Sequence, residues 1–216
     1  MKINKLFYGV LALALAGMAV SCSDELDLKP ISQETTDNAY STGTQLEAAL
    51  TGVYESFQSS QYYSWDLVLF QDIRSDNYYA GGDNPEMFAF DDIDVSPVNS
   101  RVFALWSSLY NAISKANLVL EKTPEITEGI TDARRDQIRG EALFLRAYHY
   151  FTLVKNFGGV PLYLETIKST DPSEVRLPRK TEEEVYAQII TDLQESASLL
   201  PDTYGADDGI NKSRAT

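Results

Sequence analysis

Residues 132–161, DARRDQIRGEALFLRAYHYFTLVKNFGGVP, decide the fold. Ile138, Ala142, Leu143, Phe144, Leu145, Tyr148, Phe151, Leu153 and Val154 recur at helical spacing on more than one side, the pattern of a helix buried between neighbours. Gly158, Gly159 and Pro161 end it, because glycine permits the left-handed turn that closes a helix and proline cannot continue one. A helix apolar on several sides needs helical partners, and the flanking sequence supplies them.

From Thr44 to about Gln58, Leu46, Leu50, Val53 and Phe57 mark one helical face, and from Ser100 to Lys122 the same signature returns in Val102, Leu105/Trp106, Leu109, Ile113, Ala116 and Leu120. A fourth helix opens on the capping box Thr181-Glu182-Glu183-Glu184. Its expected buried face is Val185, Ile189, Leu193, Ala197 and Leu200, and Pro201 stops it. Residues 158–180, with Pro161, Pro172 and Pro178, read as a fixed surface crossing. No repeat of fixed length is visible, but the helix lengths and short joints suit antiparallel helix pairs of the tetratricopeptide kind, so the fold class is mainly α.

Composition excludes several functions. The 216 residues carry 18 Lys+Arg against 32 Asp+Glu, a net charge of -14, which repels nucleic acid. One cysteine cannot build a disulfide framework or a Cys-rich zinc site, and one histidine rules out multi-His metal sites. No cofactor is implied. A hydrophobic fraction of 44% is enough for a packed core.

Residues 61–98 break the pattern. They show no sustained helical period, yet hold eight aromatics, eight acidic residues and Arg74 as the one base. Flat rings can stack on the C–H faces of sugars while carboxylates and amides bond the hydroxyls, so Asp76, Asn77, Tyr78, Tyr79 and Asn84 are the candidate ligand residues. Trp65 and Phe70 read as packing. Asp91, Asp92 and Asp94 lack the ordered ligands of a calcium loop and read as a solvated turn. Glu141 and Arg146 do not face one another on one helix and are expected to pair between helices; His149, among aromatics in mid-helix, is expected to be packed and hydrogen-bonded rather than a base.

At the N-terminus, Lys2 and Lys5 precede Leu6–Val20, an apolar run too short to span a bilayer and of the form of a secretory leader. Ala19-Val20-Ser21-Cys22 resembles the lipobox of bacterial lipoproteins, which implies lipidation of Cys22. Ser23-Asp24-Glu25 resembles a surface-export signal of Bacteroidetes lipoproteins. The expected organisation is a leader over 1–21, a lipidated tether over 22–43 and a helical domain over 44–216. A surface this acidic repels anionic head groups, so attachment relies on the lipid and on a protein partner.

Several stretches together resemble the SusD/RagB family of outer-membrane glycan-binding lipoproteins. They are Gly140 to Phe151, Phe157-Gly158-Gly159-Val160-Pro161-Leu162, Pro178-Arg179 with Glu184-Val185-Tyr186, Leu26-Asp27-Leu28-Lys29-Pro30, Gly52-Val53-Tyr54 and Trp106 to Asn117. The resemblance implies a lid over a SusC-like TonB-dependent transporter that captures an oligosaccharide or peptide, passes it to the pore and does no covalent chemistry. It also implies an N-terminal portion of a longer SusD-like fold, since Gly209–Thr216 looks like the lead-in to a further helix pair. Two other readings are a helical module that binds only the transporter, and a surface glycoside hydrolase, whose chemistry needs a suitably spaced pair of carboxylates.

Overall fold

The structure, a computed structural model, describes residues 40–202. The leader, Cys22, the tether to residue 39 and the segment Gly209–Thr216 lie outside the described residues. The elements are α1 (Gly43–Glu55, extended by a 3-10 turn at Ser56–Gln58), α2 (Asp66–Val68, running into a π turn at Leu69–Ile73), α3 (Pro85–Asp91), α4 (Ser100–Lys122), α5 (Asp132–Phe157), α6 (Pro172–Val175) and α7 (Glu182–Leu199). No strand occurs among the described residues.

Each long helix starts where a side chain can satisfy the free N–H groups of its first turn. Thr42 with Gln45 and Thr181 with Glu184 form reciprocal capping boxes on α1 and α7, while Asn99 and Thr131 cap α4 and α5. At the end of α5, Gly158 takes φ +71, and Gly159 lies so close to the Lys180 carbonyl that a Cβ there would sit 2.0 Å from its oxygen. That approach lets the Lys180 N–H donate to the Val160 carbonyl (3.1 Å), closing the crossing between α5 and α7.

Contacts between helices fix their directions. Glu47 and Tyr54 of α1 meet Arg134 and Glu141 of α5, so these two run the same way. Tyr110 and Trp106 of α4 meet Tyr150 and Phe157 of α5, and Phe151 and Gly140 of α5 meet Tyr186 and Ser196 of α7, so both neighbours run against α5. The result is two antiparallel pairs, α1/α4 and α5/α7, laid side by side in the tetratricopeptide-like arrangement that the sequence predicts.

One core cluster joins Leu46, Leu50 and Val53 of α1 to Val119 of α4 and Ile138 and Leu143 of α5. A second joins Leu105, Leu109 and Ile113 of α4 and Leu153 of α5 to Val185 and Ile189 of α7, and it also takes in Tyr62, Leu69, Phe70 and Phe90 from the irregular segment. That segment contains α2, the π turn and α3, which its lack of sustained periodicity conceals. Elements this short show no period to read.

The α7 face differs from expectation. Asp192 and Ser196 are fully buried, whereas Leu193 and Ala197 are only partly so. Asp192 receives Arg146 through Nε–Oδ2 and Nη2–Oδ1 bonds of 2.8 Å each, and Gln188 Nε2 adds a third at 2.8 Å. The Ser196 hydroxyl donates to the Gly140 carbonyl at 2.7 Å, where the missing side chain lets α7 approach. Arg146 also donates to Asn117 Oδ1 and the Leu164 carbonyl, and Glu141 accepts from Arg134 and from the Tyr54 hydroxyl, so both residues bind elements together as expected.

Candidate ligand-binding surface

The irregular segment is held from beneath. Tyr62 is fully buried, its ring stacked 5.6 Å from that of Phe57 and its hydroxyl 2.9 Å from His149 Nδ1. Burial drives the His149 pKa down to about 3, so the imidazole is neutral and acts as packing, as the sequence suggests. The Phe70 ring lies 4.8 Å from that of Phe90, and buried Asp66 accepts from Arg101 Nη1 at 3.2 Å. Desolvation raises the Asp66 pKa, with Arg101 opposing it.

Above these anchors, residues 74–84 form a pinned loop. The Ser75 hydroxyl donates to the Asp72 carbonyl (2.6 Å) and accepts from the Asn77 N–H (3.3 Å), and the Ala80 N–H donates to Asp91 Oδ2 (2.9 Å). Between these fixed ends, Asp76, Asn77, Tyr78 and Tyr79 are all exposed, Tyr78 by 59% and Tyr79 by 82%. Tyr78 and Tyr79 are the two most exposed aromatics of a segment in which Tyr62, Phe70 and Phe90 are buried, and they are available to a ligand. The other candidate, Asn84, caps α3: its Oδ1 accepts from the Glu86 N–H at 2.9 Å, leaving Nδ2 as the group it could offer.

Phe70 packs as expected, but Trp65 is 50% exposed. A spacing argument cannot separate the two, because no helical period runs through Trp65. Asp91 clamps Ala80, and Asp92 and Asp94 are exposed beyond it. The Ile93 N–H donates to Phe90 and the Asp94 N–H to Ala89, a Schellman closure of α3 that puts the β-branched Ile93 at φ 56. Among the described residues no group of three or more His, Cys, Asp or Glu is placed to hold a metal ion, and no helix is long and apolar enough to cross a membrane.

Sequence reasoning missed a second concave surface on α4, lined by Phe103, Trp106 and Tyr110 together with Pro161 and Tyr163 of the crossing. Its signal was the i, i+3, i+7 run of aromatics, displaced by one residue from the face of partly buried Val102 and buried Leu105 and Leu109.

The sequence pattern of the SusD-like family described as "Starch-binding associating with outer membrane" matches residues 24–216. A SusD-like protein of Formosa agariphila is 32% identical over 206 residues, which are 94% of this chain and 39% of that one. The starch-binding protein SusD of Bacteroides thetaiotaomicron is 26% identical over 89% of this chain and 36% of its own length. Among solved structures, a laminarin-binding SusD-like protein superposes with a TM-score of 0.70 at 29% identity, covering 81% of this chain and 38% of that one. Surface glycan-binding protein A from Bacteroides uniformis gives 0.67 at 25% identity, over 78% and 38%. The chain thus spans less than two-fifths of the curated relatives it matches. With a family match over nearly its whole length and the helical arrangement to go with it, the chain belongs to the SusD-like family, whose members bind carbohydrate and are associated with the outer membrane.

Proposed function

We propose that this protein is a surface lipoprotein that captures oligosaccharide through the Asp76–Tyr79 loop and passes it to a SusC-like TonB-dependent transporter. Cys22 is the lipidated residue that holds it to the outer membrane. The observation that carries this reading is the pair Tyr78 and Tyr79, exposed between two pinned loop ends beside Asp76 and Asn77. Rings offered from a loop already fixed in place lose little freedom on binding. The names of the laminarin- and starch-binding relatives support a glycan as ligand.

Binding without covalent chemistry is favoured because the buried carboxylates are already engaged: Glu141 with Arg134, Asp192 with Arg146, Asp66 with Arg101. The test is thermal unfolding of the full chain with and without soluble β-glucan, α-glucan and host-type oligosaccharides. A ligand bound only by the folded state adds RT ln(1 + [L]/Kd), about 2.7 kcal/mol at 100 Kd, so the matching sugar class raises Tm. A Tm unmoved by every sugar class at millimolar concentration contradicts the reading.

A further inference from the structure

We propose that the α4 face bearing Phe103, Trp106 and Tyr110 is a second carbohydrate subsite, taking a neutral oligosaccharide independently of the Asp76–Tyr79 loop. The inference rests on the glycan-binding reading above and adds to it a distinct site.

The surface encloses about 440 Å³, within the range of small-ligand pockets. Phe103, Trp106 and Tyr110 stand at i, i+3 and i+7, and Ser107, Asn111 and Ser114 stand beside them at i, i+4 and i+7, so α4 presents an aromatic stripe next to a hydroxyl and amide stripe. At 1.5 Å per residue each stripe runs for roughly 11 Å, and staggered along the helix the two together cover roughly 17 Å, the scale of an oligosaccharide rather than a single sugar.

The rings are held before any ligand arrives. Trp106 lies edge-on to Phe157 at 5.1 Å and against Tyr110 at 4.9 Å, and Tyr163 meets Tyr110 edge-on at 5.6 Å. The Tyr110 hydroxyl donates to the Pro161 carbonyl (2.8 Å) and that of Tyr163 to the Val175 carbonyl (2.7 Å). Both tyrosines have therefore used their polar ends and offer ring surface. Phe103, at the mouth, is 71% exposed.

The polar side differs. The side chains of Ser107, Asn111 and Ser114 form no hydrogen bond within the described residues, and the one charged lining residue, Glu165, forms no ion pair there. In a chain of net charge -14, a surface with one carboxylate and no cation rejects anions, and its other donors and acceptors are neutral. Aromatic faces beside neutral hydroxyls and an amide fit a ligand with both C–H faces and hydroxyls, which is an uncharged sugar.

The chain has two tryptophans, Trp65 on the irregular segment and Trp106 in this groove, so Trp65→Phe leaves Trp106 as the sole reporter. Titration of that full chain with laminari- and malto-oligosaccharides is expected to shift Trp106 emission saturably. Adding Phe103→Ala with Asn111→Ala, both at exposed positions, is expected to weaken the titration about tenfold while Tm is kept. If calorimetry detects binding while Trp106 emission stays constant and the double variant binds as tightly, the subsite is wrong and the glycan reading stands. If no oligosaccharide gives heat, both fall. Trp106 emission that depends on protein concentration without sugar, with sedimentation showing a dimer lost in Phe103→Ala, makes the groove a contact between copies and overturns the subsite.

Discussion

Removing the carboxylate of Asp192 tests whether the Arg146–Asp192 pair holds the α5/α7 pair together. In Asp192→Ala, Arg146 loses two bonds of 2.8 Å and keeps those to Asn117 Oδ1 and the Leu164 carbonyl, so a guanidinium with 9% of its side chain exposed is left short of its counter-charge. Breaking a buried pair by removing one partner costs about 3–5 kcal/mol. For a domain of this size each kcal/mol lowers Tm by about 2–4 °C, so the melt followed by far-UV circular dichroism should fall by about 6–20 °C. Replacing both partners, Arg146→Met with Asp192→Leu, removes the stranded charge and should recover at least half of that loss. An Asp192→Ala melt within about 2 °C of the parent, or a double variant no more stable than the single one, would refute the assignment.

Other expectations follow from single residues. Between pH 6.5 and about 3 the unfolded chain binds a proton at His149 that the folded chain does not, so this contribution is intact above 6.5 and is lost on acidification. At pH 4.5 the loss is about 3 kcal/mol, and His149→Phe should flatten that part of the urea-midpoint profile. Asn84→Ala removes the α3 cap and should lower stability by about 1 kcal/mol, with a smaller effect on oligosaccharide affinity than Tyr78→Ala/Tyr79→Ala. Ile93→Gly relieves the left-handed backbone at an exposed position and should raise the unfolding free energy from urea titration by about 1 kcal/mol.

The long helices were legible because their cues are local and repeated. Thr181 with Glu184 marks the start of α7, Gly158 the end of α5, and Leu105–Leu109–Ile113 runs long enough to show its period. Asp192 and Ser196 were invisible because a hydrophobic pattern assigns polar residues outward, and only the partner helix reveals Arg146 and the Gly140 carbonyl waiting for them. Asn84-Pro85-Glu86 does carry a helix-start signal, cap then proline at the first position, but α3 is too short for its apolar residues to announce a face. The exposure of Tyr78 and Tyr79 was implied by their reading as ligand residues. That of Trp65 was not, because it depends on how Tyr62 and Asp66 on either side are anchored.

The central claim, oligosaccharide binding through the pinned loop, is tested most directly by isothermal titration of the full chain and of Tyr78→Ala/Tyr79→Ala with laminari- and malto-oligosaccharides. Saturable heat with one sugar class, weakened about tenfold or more in the variant, is the expected result. Equal affinity in parent and variant would remove the loop from the binding site, and no heat with any sugar would contradict the glycan-binding account itself.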